Sequence, residues 1–434
     1  MKLSMFNVWT PDGDSLIVYN SKTGALATFE PPYCDSVLAA LENHDSSLLA
    51  EEFLEALAED GYLVENETDE LAYIQELVDT RQKLTDEYYF SILLSLTCNF
   101  GCFYCFEDHT GKIIDDAVAQ KLTAMMERIS PTAKKIAIDW YGGEPLLSFA
   151  RLRELNDRFM ALCATNGTHY EISITTNGYL LTQEIIDYLK GVPITHLQIT
   201  IDGPPETHDQ SRPLKTGGPT FAVILDNIKN AVANGLSIFI RVNITKHNID
   251  RVHELYQILA ARGLKNKVRL LLKPVVSSPN RPCKEDCLAG TSLSSRMVPI
   301  YVQAARDGWV VFPHVDSMQC MGFCVADFPG QFIIDPSGAV YKCGECFSEA
   351  ETVGSLAADG EIVLNQTAYQ RWIKKTPLDY PECRCCPILP ICMGGCNMKR
   401  WWHNIDCCEE LKHDLPDFLR AMVLNQDNMD KAEV

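Results

Sequence analysis

Three cysteines stand close together behind a run of apolar residues: Thr97-Cys98-Asn99-Phe100-Gly101-Cys102-Phe103-Tyr104-Cys105 spaces its thiols as C-x3-C-x2-C. Three thiolates can hold three irons of a 4Fe–4S cubane and leave the fourth open to a ligand from outside the protein. An iron with an open position is where chemistry can occur. Gly101 permits the tight loop, and Tyr104 sets an aromatic ring beside the third ligand. A three-thiolate zinc site is the alternative; such sites usually take a fourth protein ligand, and His109 is the nearest candidate.

A second field runs from Cys320 to Cys408 and holds eleven of the eighteen cysteines. Cys324-x13-Gly338-x4-Cys343 is followed by Cys383-x2-Cys386-x5-Cys392-x3-Cys396 and then by the adjacent pair Cys407-Cys408. Eighteen thiols exceed what an enzyme needs as small apolar fillers, and disulfides need an oxidising compartment. Met1-Lys2-Leu3-Ser4-Met5 carries one charge and no apolar export segment. No stretch approaches the ~20 apolar residues that span a bilayer, so a soluble, cytoplasmic protein is expected. Metal ligation is the reading that remains, with a zinc ribbon as its competitor. Cys283-x3-Cys287 has no third partner and is read as unligated, while Cys34 and Cys163 sit in apolar helical patterns and are read as core.

The elements that must carry these ligands follow from periodicity. Residues 1–88 begin with alternating runs at Phe6–Trp9, Leu16–Tyr19 and Ala25–Phe29, a small antiparallel sheet, and continue with helical patterns over Asp35–Leu41, Ser47–Leu57 and Asp69–Lys83. That is a small α+β, winged-helix-like module, or else a packing extension of the next domain. Six strand and helix pairs follow. Strands are expected near Phe90–Ser95, Ile136–Tyr141, Tyr170–Thr175, His196–Asp202, Ser237–Ile244 and Val268–Lys273. Helices are expected near Asp115–Ile129, Phe149–Asn166, Thr182–Lys190, Thr220–Asn234, Ile249–Arg262 and Leu293–Asp307. The predicted fold is therefore α/β, a partial (β/α)6 TIM-like barrel over residues 89–310, with function at the carboxyl ends of its strands. Residues 311–424 show little periodicity and are expected to be organised by ligands, and 425–434 read as a polar tail. The formal charge, 38 − 58 = −20, disfavours a groove for nucleic-acid phosphates.

The C-x3-C-x2-C run after the first strand, together with Gly142-Gly143-Glu144-Pro145 after the second, resembles the radical SAM superfamily. The resemblance implies that the amino and carboxylate groups of S-adenosylmethionine (SAM) chelate the open iron held by Cys98, Cys102 and Cys105. Two glycines let backbone carbonyls approach an ammonium, and Glu144 can add a charge-assisted acceptor. Ser173 and Asn177, within Ser173-Ile174-Thr175-Thr176-Asn177-Gly178, resemble the family's ribose-contacting segment, and Tyr104 and Arg241 join the implied cofactor site. His208 and Arg212 follow strand four, where loop-fixing hydrogen bonds compete with a SAM contact. Electron transfer into the cluster would yield a 5′-deoxyadenosyl radical; no catalytic side chain is assigned, and the general base is open.

The C-terminal cysteines resemble the SPASM extension of radical SAM enzymes, which holds two auxiliary 4Fe–4S clusters and would bring the total to three. The resemblance implies Cys320, Cys324, Cys343 and Cys396 for the first and Cys383, Cys386, Cys392 and Cys408 for the second. Cys407 competes with Cys408, and Cys346 with Cys320 or Cys324. A first cluster with three ligands could bind a substrate thiolate directly. The N-terminal module resembles the element by which peptide maturases recognise a leader peptide, an added strand on an exposed sheet edge. The expected function is a radical SAM peptide maturase that cross-links a ribosomal precursor peptide, a thioether first and a carbon–carbon bond second, with a reduced flavodoxin or ferredoxin as electron donor. The runner-up is an anaerobic sulfatase-maturating enzyme. In those relatives an aspartate follows the cysteine corresponding to Cys343; here Gly344 stands there and Glu345 is displaced by one. A reading of another class is a non-catalytic iron–sulfur or zinc-binding protein.

Overall fold

The computed structural model describes residues 1–105, 107, 109–275, 292–309, 323–345, 347–402 and 415–432. The chain gathers into two compact units, one of residues 1–83, 290–324 and 375–434, the other of 84–289 and 325–374.

The first unit opens with β1 (Lys2–Leu3), β2 (Asn7–Asp12), β3 (Ser15–Asn20), β4 (Leu26–Phe29), α1 (Cys34–Asn43), α2 (Glu51–Glu59), β5 (Leu63–Val64) and α3 (Glu70–Lys83). The alternating runs form the antiparallel sheet β2-β3-β4, while β1 pairs with β5, two strands too short to show a period. Leu16 and Val18 of β3 pack on Val37, Ala40 and Leu41 of α1 and Leu57 of α2. Cys34 packs at the edge of this core and is only half-buried, so the expected core role holds in part. A second core joins Phe6, Ile74 and Val78 to Cys383, Leu389 and Met393. The N-terminal residues and the cysteine-rich segment therefore share apolar contacts worth about 1.5–3 kcal/mol per buried side chain. The helix Leu415–Ala432 runs on past Leu424, where a polar tail was expected. Phe418, Ala421 and Asn425 recur at helical spacing and are buried, and that stripe holds the last turns.

In the second unit β6 (Glu87–Leu93), α4 (Asp116–Ile129), β7 (Lys135–Tyr141), α5 (Phe149–Asn166), β8 (His169–Thr176) and α6 (Gln183–Leu189) alternate as predicted. They are followed by β9 (Ile194–Thr200), α7 (Pro205–Ser211), α8 (Phe221–Ala233), β10 (Ile238–Ile244), α9 (Val252–Ala261) and β11 (Arg269–Pro274). The six strands lie side by side in chain order, all parallel. The polar helix α7 has no apolar stripe and left no periodic signal. Ile136, Ile138 and Trp140 of β7 are buried, and Trp140 stacks on Phe159 of α5 at 6.0 Å. Because side chains alternate along a strand, Asp139 and Tyr141 face the side away from the helices.

One expectation is corrected here. The segment after residue 323 is not left to ligands alone. β12 (Gln331–Ile334) lies parallel to β6, and β13 (Ala339–Tyr341), β14 (Gly354–Leu356) and β15 (Ile362–Leu364) extend the sheet antiparallel to ten strands. All four residues of β12 are buried, so both faces are covered and no alternation marks the strand. Phe332 stacks between Phe90 and Tyr369, which ties the extension to the first barrel strand. Among the described residues no helix is long and apolar enough to cross a membrane.

Candidate active site

The loop from Leu96 to Cys105 leaves β6 and is strapped on both sides by backbone. Leu96 N–H donates to the Lys112 carbonyl (2.7 Å), and Ser95 bridges to Ile113. On the other flank Gly101 N–H donates to Pro213 (2.9 Å), Phe103 N–H to Ser211 (3.3 Å) and Lys215 N–H to Asn99 (2.9 Å), with Phe100 bridging to Leu214. Phe100 is buried and anchors the loop, while Phe100 N–H donates to Cys98 Sγ at 3.4 Å. Burial pushes the Cys98 thiol up to about 12 and Cys105 to about 11, and raises Cys102. Such thiols keep their protons until a metal takes the proton's place. Soft sulfur donors in a set of three fit a 4Fe–4S cluster, in which each thiolate binds a different iron. His109 Nε2 meets Cys105 Sγ at 3.3 Å.

Gly142 and Gly143 carry the chain directly past this loop. Their φ values of 85° and 44° lie in the left-handed region, and a Cβ on Gly142 would come within 2.7 Å of Leu93 Cβ. A Cβ on Gly143 would run into the Thr97 carbonyl, one residue before Cys98. Gly143 N–H donates to the Glu107 carboxylate, and Glu144 N–H to the Thr97 carbonyl (2.9 Å). The Glu144 side chain is fully buried. Its Oε1 accepts Leu146 N–H (2.9 Å) and the Thr176 hydroxyl (2.6 Å), and its Oε2 accepts Asn177 N–H (2.7 Å). Burial raises this carboxyl's pKa, and the donors oppose the rise. Thr176 was not singled out from the sequence; it lies on the strand face opposite Ser173 and Thr175, so only the folded turn of β7 reveals its partner. Asn177 reaches the cluster loop, donating from Nδ2 to Asn99 Oδ1 at 2.8 Å.

Tyr104 is the centre of a buried network that ties the loop to the ends of β9 and β10. Its hydroxyl donates to the Asp202 carboxylate and accepts from Arg212 Nη1 (2.6 Å) and Asn243 Nδ2 (3.1 Å). Asp202 Oδ1 accepts Asn243 N–H (2.9 Å), and His208 Nδ1 accepts Asp202 N–H (3.2 Å). Burial holds the Tyr104 phenol well above its ordinary value and drives His208 well below its own, so both stay neutral. His208 and Arg212 are thus joined to the loop-fixing network that competed with a cofactor contact.

Ser173 and Arg241 share the face away from the helices with Asp139. The Ser173 hydroxyl donates to Asp139 Oδ1 at 2.9 Å, and Arg241 Nε to Asn243 Oδ1 at 2.7 Å. Asp139 was missed in the sequence, although an acid at a period-2 position among Ile136, Ile138 and Trp140 was a legible signal. Burial raises its pKa from 3.8 to about 6. A carboxyl that binds its proton more tightly when folded contributes most stability when protonated; that contribution falls as pH rises from about 4 to 6 and is level above. Asp139→Asn is therefore expected to gain stability relative to the parent across that window, by at most about 3 kcal/mol. Anaerobic denaturant titrations at several pH values, taken as a difference, measure it; a flat difference would assign Asp139 no buried charge.

Residues 92–259, from inside β6 to near the end of α9, match the Radical SAM superfamily. These residues form a radical SAM domain. The chain is 29% identical over 188 residues to an uncharacterized protein of Methanocaldococcus jannaschii, covering 42% of this chain and 63% of that protein, less than two thirds of its length. It is 28% identical over 381 residues to a serine-type anaerobic sulfatase-maturating enzyme of Bacteroides thetaiotaomicron, covering 76% of this chain and 90% of that one. Among solved structures, anSMEcpe with bound AdoMet and a peptide superposes with a TM-score of 0.62 at 18% identity over 80% of this chain and 99% of that chain. Streptococcus suis SuiB bound to its precursor peptide SuiA gives 0.54 at 14% identity over 92% and 96%. At these identities the likeness establishes a shared fold.

Part of the second cysteine field lies among the described residues. Cys383, Cys386 and Cys392 line one small hollow together with Gly394 and Arg400. Cys386 N–H donates to the Cys383 carbonyl (3.1 Å), and Arg400 lies 3.6 Å over the Tyr380 ring. Three thiols around one hollow suit the donor set that the resemblance implies. Cys324 is exposed, and Cys343 and Cys396 are half-buried. Cys283, Cys287, Cys320, Cys346, Cys407 and Cys408 lie outside the described residues. Cys163 is buried in α5, as expected of a core thiol.

Proposed function

We propose that this enzyme is a peptide maturase that acts on a ribosomal precursor peptide whose leader docks on the N-terminal sheet. When bound, SAM and the cluster supply a 5′-deoxyadenosyl radical that abstracts hydrogen from the substrate. Cys98, Cys102 and Cys105 would hold that cluster, and Gly142, Gly143 and Glu144 pass beside it where the amino group of SAM is received. The carboxylate of Glu144 has one lone pair to spare on Oε2 beyond its three donors. Tyr104 and its network keep the loop rigid and dry. Asp139, Ser173 and Arg241 give the face away from the helices its polar character, suited to orienting cofactor and substrate. Cys383, Cys386 and Cys392, with Cys408, would hold an auxiliary cluster, and Cys320, Cys324, Cys343 and Cys396 another.

The observation that carries the peptide reading is the open edge of β4, which among the described residues pairs only with β3. The Asn20 N–H to Ala25 carbonyl bond (2.9 Å) sets the alternation, so that Ala27 and Phe29 bond to β3 while Leu26 and Thr28 direct their N–H and C=O outward. An added leader strand would take those groups. Thr28→Pro removes one outward N–H without breaking a bond to β3. It is expected to weaken binding of the synthetic leader from a neighbouring short reading frame at least tenfold, with 5′-deoxyadenosine release in the absence of peptide unchanged. Equal leader affinity in parent and variant would remove the recognition role. Point substitution is preferred to deleting residues 1–85, because Phe6, Ile74 and Val78 pack against Cys383.

Cross-linking is read by mass: loss of two hydrogens from the core peptide is expected, with a thioether the first product sought. Sulfatase maturation stands as the second reading, supported by the Bacteroides relative and by Glu345. Burial raises the Glu345 carboxyl's pKa while the Arg241 guanidinium opposes the rise, so its charge is felt on the site face of β10. Conversion of a sulfatase-derived serine or cysteine peptide, without conversion of the precursor, would favour that second reading.

A further inference from the structure

We infer that Lys375 and Arg400, backed by Arg81, form a cationic cradle around the loop that carries Cys383, Cys386 and Cys392, and that their charge raises the reduction potential of the auxiliary cluster held there. This rests on the proposed auxiliary cluster and adds what the surrounding chain does to it. Arg400 lines the same hollow as the three thiols and Gly394. Its Nη2 donates to the Gly394 carbonyl at 3.1 Å, while the guanidinium lies over the Tyr380 ring. Lys375 is 7% exposed, and its Nζ donates to the Gly395 carbonyl at 2.5 Å. A Cβ on Gly394 would stand 3.2 Å from Lys375 Cε, so the missing side chain is what lets the lysine lie against the wall of the hollow. Arg81, fully buried, donates from Nη2 to the Lys375 carbonyl at 2.9 Å and faces the Phe323 ring at 4.4 Å. The same helix α3 that carries Arg81 packs Ile74 and Val78 on Cys383 and Leu389, which fixes the cradle to the ligand loop.

All three of these bonds end on neutral carbonyls. A carbonyl accepts a hydrogen bond but cancels no charge, and burying a cation is costly unless negative charge lies close by. The Glu382 carboxylate, 3.4 Å from Arg400 Nη1, belongs to a side chain that is 55% exposed, where water screens its attraction. A 4Fe–4S core ligated by thiolates is itself an anion, the complement that such a cradle suits. Gaining an electron makes the cluster more negative still. Positive charge held beside it, away from bulk water, favours the reduced form over the oxidised one, so the potential rises. Because the cations grip the backbone of the ligand loop, their distance from the thiols is set by the fold and not by flexible side chains.

The test follows iron content and potential in the anaerobically reconstituted holoenzyme. Cys386→Ala/Cys392→Ala is expected to remove about four irons per chain together with one redox couple, which marks the couple to follow. At the parent's midpoint for that couple, Lys375→Met/Arg400→Gln is expected to lower the ratio of reduced to oxidised cluster, read by electron paramagnetic resonance, about tenfold. For a one-electron couple that is a downward shift of about 59 mV. Each single substitution is expected to lower the ratio about threefold, whereas Arg400→Lys, which keeps the charge and loses the planar stack on Tyr380, stays within twofold of the parent. Should the double variant fail to load iron, Arg400→Gln against Arg400→Lys decides the question alone. A ratio within twofold of the parent in Arg400→Gln overturns the proposal. An equal fall in Arg400→Gln and Arg400→Lys also overturns it, since shape and not charge would then be at work. The auxiliary-cluster reading fails separately, if Cys386→Ala/Cys392→Ala keeps all of the parent's iron.

Discussion

Cys102→Ala is expected to abolish SAM cleavage, with 5′-deoxyadenosine release falling at least a thousandfold, and to lower reconstituted iron by about four per chain. Two thiolates cannot hold three corners of a cubane, and the loop offers no substitute. Its backbone is committed to Pro213, Ser211 and Lys112, and Phe100 is locked beneath it. The Cys105 N–H bond to the Cys102 carbonyl (3.2 Å) belongs to the backbone and survives the substitution, so the loop keeps its path while losing a ligand. Anaerobic iron analysis and chromatography of nucleoside products measure both effects. Retention of all iron, or zinc in place of iron in the parent, would overturn the cluster assignment.

Glu144→Gln is expected to cost about 1–3 kcal/mol of stability at neutral pH, because it leaves a buried donor without an acceptor, and to weaken SAM binding at least tenfold. The three groups around this carboxylate are all donors: Leu146 N–H, Asn177 N–H and the Thr176 hydroxyl. Glutamine must turn its NH₂ toward one of the two fixed N–H groups, leaving facing donors in a buried site. Thr176 can rotate its hydroxyl to accept, but the backbone donors cannot. The damage spreads to the cluster because Glu144 N–H holds the Thr97 carbonyl, next to Cys98. Denaturant unfolding and equilibrium SAM binding measure the two losses. A variant as stable as the parent would show that the buried donors around Glu144 find other acceptors.

Much of the molecule was legible in the one-dimensional chain. The β/α alternation over residues 87–274, the cysteine loop behind β6 and the Gly-Gly-Glu turn behind β7 are each written within one short window. Helical and strand periods declare themselves over about ten residues, and ligand spacing over fewer. β12 was not legible, since four residues buried on both faces show no alternation. Glu144 illustrates a partial reading: its place at the site was visible, whereas its bonds to Thr176 and Asn177 join residues 32 and 33 positions apart.

By itself, the order of residues determined which thiols could hold iron, which strands could form, and that the reaction would be radical chemistry on SAM. Only the tertiary structure decided which distant segments clasp the cluster loop, that Tyr104 would meet Asp202 and Arg212 across about a hundred positions, and that Phe6 would share a core with Cys383. The reason is physical. Local preference is set by backbone torsions and side-chain period within a few turns of chain, whereas long-range pairing is chosen by competition among all surfaces for burial and among all buried polar groups for partners.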